Sequence, residues 1–195
     1  MPHIIALAGR MASGKSKAAE ILSDEYDMEH IEYSSFLYAA MDLFAIPHTR
    51  QNIDTWSTFL RCTYAQDAFS RAVQKRLRET TKKWVVLSTI RRSSDLDGIR
   101  EQNRVHLWYV EADQKARYQR HVSSKRKVGD AEMTFEEFQT IEDNEVQRTI
   151  PALKTEAEVV VENNNDFDSF IAEVRRQADK LIQTNSPVDL PKSRI

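Results

Sequence analysis

Gly9-Arg10-Met11-Ala12-Ser13-Gly14-Lys15-Ser16 follows directly on the apolar run His3-Ile4-Ile5-Ala6-Leu7-Ala8. It leads straight into the helix formers Lys17, Ala18, Ala19, Glu20, Ile21 and Leu22. A short apolar run ending at a glycine has the composition and length of a buried parallel strand. The eight residues match G-x-x-x-x-G-K-[S/T] in full, and each part has physical work to do. Gly9 lets the chain turn sharply out of the strand, and Gly14 lets backbone approach a phosphate with no side chain between. Successive backbone N–H groups and the start of the next helix offer partial positive charge to an anion. Lys15 reaches the β- and γ-phosphates, and the Ser16 hydroxyl can coordinate Mg²⁺. Strand, loop and helix in this order are the context that lifts the pattern above a chance match. The expected ligand is a purine nucleoside triphosphate, held by Gly9 to Ser16 and by Lys17.

Outward from this loop the chain alternates between strand and helix signals. Residues 29–33 read as a second strand. Ser34 or Ser35 offers an N-cap for a helix reaching about Phe44. Pro47 breaks the chain. Residues 53–81 read as one long helix or two, because Trp56, Phe59, Leu60, Tyr64, Ala68, Val73 and Leu77 recur at helical spacing. Residues 84–88 are the clearest interior strand, Asp95–Gln102 a short helix, and Arg104–Val110 a further strand. Asp113 caps a helix to about Ser123, and residues 124–132 read as a charged loop. Thr134 and Glu137 have capping-box spacing. Ala157–Val161 is the last strand, Asn163 to Asp166 a turn and cap, and 167–184 an amphipathic helix. Residues 185–195 read as a disordered tail. Strands alternating with helices define an α/β fold whose mainly parallel sheet is covered on both faces.

The whole chain sets bounds on this reading. Its 195 residues suit one domain, here residues 1–184, able to bury a core without disulfides or a structural metal. With 28 Lys plus Arg against 30 Asp plus Glu, nothing global favours wrapping nucleic acid. Cys62 is the only cysteine, so no internal disulfide forms, and a reducing cytoplasm fits best. The N-terminus reads as a strand rather than a signal peptide, and no stretch approaches the roughly 18 apolar residues of a membrane span. The five histidines show no metalloprotease spacing, and no Gly-x-Ser-x-Gly elbow is present. His3 and His106 read as packing residues. A GTP switch lacks its Asn-Lys-x-Asp guanine signature, and Val85-Val86-Leu87-Ser88 lacks the Asp that a motor-type ATPase needs.

Beyond the loop, the chain resembles the small P-loop nucleotide-kinase-like proteins: nucleoside and deoxynucleoside monophosphate kinases and dephospho-coenzyme A kinase. Val85 to Arg92 looks like the family's interior strand followed by an arginine that grips the acceptor. Val110 to Arg120 looks like the fourth strand and the helix into a lid, Arg120 to Lys127 like the basic lid itself, Thr134 to Phe138 like its return helix, and Ala157 to Asn164 like the last strand. The resemblance implies a P-loop NTPase three-layer α/β/α sandwich: a five-stranded parallel sheet of order 2-3-1-4-5 and a small helical lid at about 117–138. It implies ATP and Mg²⁺ as cofactors and transfer of the γ-phosphoryl to a nucleotide-like small-molecule acceptor. Lys15, Arg91 and Arg126 become the expected catalytic cations, Arg120 joins Gly9 to Lys17 in holding the nucleotide, and Ser16 holds the metal. Arg92, Arg117, Lys125 and Lys127 are further phosphate candidates, because phosphoryl transfer calls for cations around dispersed charge.

Several readings stay open. Arg61 and Asp67 either line the acceptor pocket or form an ordinary ion pair. Trp56, Phe59 and Tyr64 are either core or an aromatic slot for an acceptor base. His121 is placed near the lid. Relatives carry an acid soon after the second strand or at the end of the third. The corresponding stretches here, Tyr33 to Leu37 and Leu87 to Arg91, have none, and Asp54, Asp67, Asp95 or Asp97 are the substitutes to look for. That lack supports a second hypothesis, a catalytically weak nucleotide-binding regulatory protein.

Overall fold

A computed structural model describes residues 1–65, 67–124, 131–143 and 148–185. Five strands form one sheet: β1 (His3–Ala8), β2 (Glu29–Glu32), β3 (Trp84–Ile90), β4 (Arg104–Glu111) and β5 (Val159–Glu162). Their order is β2-β3-β1-β4-β5 and every pair is parallel. The helices are α1 (Lys15–Tyr26), α2 (Ser35–Leu43), α3 (Arg50–Thr63), α4 (Ala68–Glu79), α5 (Asp97–Arg100), α6 (Gln114–Ser124), α7 (Phe135–Glu142), α8 (Leu153–Glu156) and α9 (Phe167–Asn185).

Strand side chains alternate between faces, so each strand feeds two cores. Ile4, Ala6, Ala8, Val85 and Leu87 pack with Tyr33, Leu37, Met41, Phe69, Val73 and Leu77, on the face covered by α2 to α5. Ile5, Leu7, Val86, Trp108 and Val110 pack with Ala18, Leu22, Phe170 and Val174, under α1 and α9. Burying each such Ile, Leu or Val contributes about 1.5–3 kcal/mol. A sheet covered on both faces makes the near-continuous apolar runs of β1 and β3 necessary. The three-layer α/β/α sandwich and the 2-3-1-4-5 order expected from sequence are those observed.

The differences are local. The segment 53–81 is two helices, and the first begins earlier, because the Thr49 hydroxyl accepts the Asn52 N–H at 3.2 Å. It ends where Tyr64 and Ala65 N–H both turn to the Leu60 carbonyl. Neither Ser34 nor Ser35 caps α2 with its side chain: Ser34 Oγ donates to the Glu32 carboxylate at 3.1 Å, and Ser35 Oγ to the Glu32 carbonyl at 2.7 Å. The Thr134–Glu137 capping box forms, with bonds of 3.2 and 2.7 Å. Helix α9 runs on to Asn185, and the rest of the expected tail lies outside the described residues.

Candidate active site

The C-terminal ends of the strands open into a cleft of about 1510 Å³. The loop between β1 and α1 forms its floor. Open parallel sheets bind ligands at this edge, where strand order reverses on either side of the first strand. Gly9 (φ 143°) and Gly14 (φ 114°) both have backbone that L side chains rarely adopt, and Ala12 has φ 58°. A Cβ on Gly9 would strike the Val110 carbonyl, and one on Gly14 would strike Asn163 Nδ2. Gly14 therefore makes room for the Asn163 side chain as well as for an anion. Lys15 Nζ donates to the Arg10 carbonyl at 2.6 Å, so the ammonium lies over the loop.

The wall rising from β4 and β5 is fastened to the loop by side chains. Arg117 is buried, at 3% exposure, and donates to the Ala112 carbonyl (2.9 Å), to the Met11 carbonyl (3.3 Å) and through both terminal nitrogens to Glu142. Glu142, at 1% exposure, also stands 3.5 Å from Arg10 and accepts from Gln114 at 3.0 Å. Asn163 Nδ2 donates to the Ser13 carbonyl at 2.7 Å. Arg120 Nη2 donates to the Asn163 carbonyl at 2.8 Å, while its Nη1 is buried with no partner among the described residues. An orphaned buried guanidinium nitrogen costs free energy that an anion in the cleft would recover.

The opposite wall rises from β2 and β3 and presents Glu32, Thr89, Ile90 and Arg91, with His48 and Thr49 at its mouth. Thr89 has φ 67°, an outlier for a β-branched residue, of a kind that costs about 1–3 kcal/mol. Asp95 is buried beneath this turn. It accepts the Arg91 and Arg92 N–H groups at 3.2 and 3.1 Å, and Arg61 Nη2 at 3.1 Å. The Thr149 hydroxyl donates to the Arg91 carbonyl at 2.8 Å.

Among solved structures, this chain is similar to a gluconokinase from Sinorhizobium meliloti, at 18% identity and a TM-score of 0.56, covering 95% of this chain and 98% of that one. It is similar to a shikimate kinase from Bacteroides thetaiotaomicron, at 12% identity and 0.55, covering 92% and 98%. A sugar kinase from Janibacter aligns at 19% identity and 0.54, covering 92% and 95%. This chain has the P-loop kinase fold. No family model matches it, and no curated protein matches it in sequence.

On this kinase fold the expected site residues divide. Gly9, Met11, Ala12, Ser13, Gly14, Lys15, Ser16, Lys17, Arg91, Arg120 and His121 all line the cleft. Arg10 is not among the lining residues: its guanidinium turns to Glu142 and its carbonyl receives Lys15. Lys17 pairs with Glu20 and lies over the Phe167 ring. Arg126, with Lys125 and Lys127, falls outside the described residues. Arg117 does not offer its charge to the cleft, because Glu142 and two carbonyls consume its donors. Arg92 contributes backbone to the Asp95 cap rather than a cation to the cleft.

The open readings close toward structure. Arg61 pairs with buried Asp95, and Asp67 with exposed Arg71. Trp56 packs on the core edge, Phe59 and Tyr64 follow it in edge-to-face ring contacts at 47% and 72% exposure, and none of the three lines the cleft. None of Asp54, Asp67, Asp95 and Asp97 lines the cleft. Asp95 to Gly98 also has the Asp-x-x-Gly spacing of GTP switches, but here it is structural: Asp95 is buried under backbone N–H groups, and Gly98 faces Gln74. The acid that sequence inspection missed is Glu32. It precedes Tyr33 to Leu37 by one residue, ends β2 and lines the cleft. Its place as the strand's last residue was the available signal.

Proposed function

We propose that this chain is an ATP- and Mg²⁺-dependent kinase that transfers the γ-phosphoryl group to a small, nucleotide-like acceptor. The observation that carries the proposal is the pairing of walls around a complete P-loop. On one side stands Arg120, whose buried Nη1 has no partner among the described residues, and on the other Arg91 and Glu32. The nucleotide lies on the β4/β5 side, its phosphates over the N–H groups of 9–16. Lys15 leaves the Arg10 carbonyl for the β- and γ-oxygens, and Arg120 Nη1 takes a phosphate oxygen. Ser16 is the residue that would hold Mg²⁺, and the metal would neutralise charge between the outer phosphates. No cluster of three metal-binding side chains occurs among the described residues, which fits a hydrated ion held chiefly by Ser16 and substrate phosphates.

Arg91 grips an anionic group on the acceptor. Glu32 orients the attacking oxygen and, where that oxygen is a hydroxyl, takes its proton. Residues 117–138 act as the lid, and Arg126 would approach the transferred group from it. The likeness to gluconokinase, shikimate kinase and sugar kinase structures supports the general reaction. A cytoplasmic location completes the reading, supported by a single exposed thiol, Cys62. No helix among the described residues is long and apolar enough to cross a membrane.

The test is ADP release from ATP·Mg²⁺ with a panel of nucleoside monophosphates, deoxynucleotides and dephospho-coenzyme A, extended to D-gluconate and shikimate. Lys15→Ala is the control. Acceptor-stimulated ADP release that the control lacks is the expected result. ATP binding with no stimulation by any acceptor would instead support the nucleotide-binding regulatory reading, whose main ground, a missing acid, Glu32 weakens.

A further inference from the structure

We infer that the strained turn at Thr89 is a positioning device: it rephases β3 so that Arg91 points into the cleft, and it holds Arg91 there. The inference rests on the kinase reading and specifies how its acceptor wall is made.

The argument begins with register. Ala6 of β1 pairs with Leu87, but Ala8 pairs with Ile90, so two residues of β3, Ser88 and Thr89, stand opposite Leu7 alone. This is a bulge, and a bulge shifts every later side chain to the other face. Val85 and Leu87 point into the core under α2 to α5. Uninterrupted alternation would send Thr89 after them and turn Ile90 to the opposite face, and Arg91, the first residue beyond β3, would leave the strand from the other pleat. With the extra residue, Ile90 joins that core at 1% exposure, and Arg91 emerges on the cleft wall. The bulge thus seats Ile90 in the core and aims a cation in one step.

The choice of residue carries the second half. Glycine adopts a φ of 67° without strain, and threonine does so rarely. Here a Cβ and a hydroxyl are kept despite the strain. The hydroxyl donates to the Ser88 carbonyl at 2.6 Å, an acceptor that also receives the Tyr33 N–H at 3.1 Å. The next residues are pinned by Asp95 and Thr149. Strained backbone persists where its surroundings over-determine it, and it gathers at sites that need fixed geometry. A turn with fewer accessible conformations holds Arg91 in one direction before the acceptor arrives.

The experiment compares Thr89→Gly and Thr89→Ser with the wild type, in thermal unfolding and in ADP release with whichever panel acceptor stimulates turnover. Thr89→Gly is expected to melt roughly 2–4 °C higher, because strain is released. It should keep its KM for ATP and lose about tenfold in acceptor kcat/KM. Thr89→Ser, which keeps the hydroxyl bond to Ser88, should recover most of that loss. A glycine variant with full acceptor kinetics overturns the inference while leaving the kinase reading intact, and so does one that melts lower than wild type. A wild type that releases no more ADP than Lys15→Ala with every acceptor defeats the kinase reading and, with it, any role for Thr89 in positioning.

Discussion

The wall of the cleft built on β4 and β5 is fastened to the P-loop by side chains, whereas in the wall built on β2 and β3 side chains clamp the main chain of a single turn. On the first, Arg117 spans from α6 to the Met11 carbonyl and to Glu142 of α7, and Asn163 reaches from the end of β5 to the Ser13 carbonyl. On the second, Asp95 and Thr149 clamp the main chain of Arg91, and Thr89 folds onto its neighbour's carbonyl. Damage to the first wall should therefore loosen the P-loop and nucleotide binding together. Damage to the second should leave the nucleotide in place and misdirect the acceptor.

The largest effect belongs to the floor that the walls share. Lys15→Ala should lower acceptor-stimulated ADP release by on the order of 10³-fold, since a cation aimed at developing charge supplies several kcal/mol. Comparable rates in the variant and the wild type would break the assignment of the cleft as a phosphoryl-transfer site.

Next comes the first wall. Glu142→Ala leaves Arg117 buried without its counter-charge, and unfolding in urea should show a loss of about 3–5 kcal/mol. ATP affinity should fall in parallel, because the Met11 carbonyl loses a donor held in place by that pair. A stable variant with normal ATP affinity would show that the wall does not depend on this pair. Asn163→Ala should be milder: about 1–2 kcal/mol for the lost buried bond to Ser13. Its KM for ATP should rise while that for the acceptor is unchanged. A change confined to the acceptor KM would reverse the assignment of the two walls.

The smallest effect lies at the opposite end of the sheet and serves as a control for both walls. His3 stacks on Trp84 at 4.6 Å and stands beside His106. Burial, and then the positive groups around it, hold its pKa below the ordinary histidine value. The unfolded chain therefore takes up a proton that the folded chain resists. The stability this group contributes is present above about pH 6.5 and is lost as the pH falls through the depressed folded value. His3→Gln should flatten the pH dependence of the melting temperature between about pH 7 and 5, with no effect on ATP affinity. An unchanged pH profile would remove His3 as its source.

Sequence alone determined the P-loop, the parallel sheet and, Arg10 apart, the residues that line the floor. Those features are written in contiguous residues: an apolar run of five, two glycines at fixed spacing, and a Lys-Ser pair that leads into helix formers. Local backbone geometry and burial follow from such stretches with little help from distant contacts. The family resemblance added the strand order, which no local pattern encodes. Tertiary structure alone decided which charged groups line the cleft. Arg91, Arg117 and Arg120 are equally plausible as residue types, yet Arg117 is consumed by Glu142, a residue 25 positions away, while Arg91 and Arg120 line the cleft. Trp56, Phe59 and Tyr64 have the spacing of a pocket or of a core, and only the tertiary fold sets Trp56 on the core edge and leaves Phe59 and Tyr64 exposed. The bulge at Ser88 and Thr89, at and just past the end of the strand expected over 84–88, is invisible in sequence because it is defined by the register against β1. The physical reason is common to all three. A side chain's chemistry is local, but its partners, and hence the charge it has left to offer, are set by chain segments that only folding brings together.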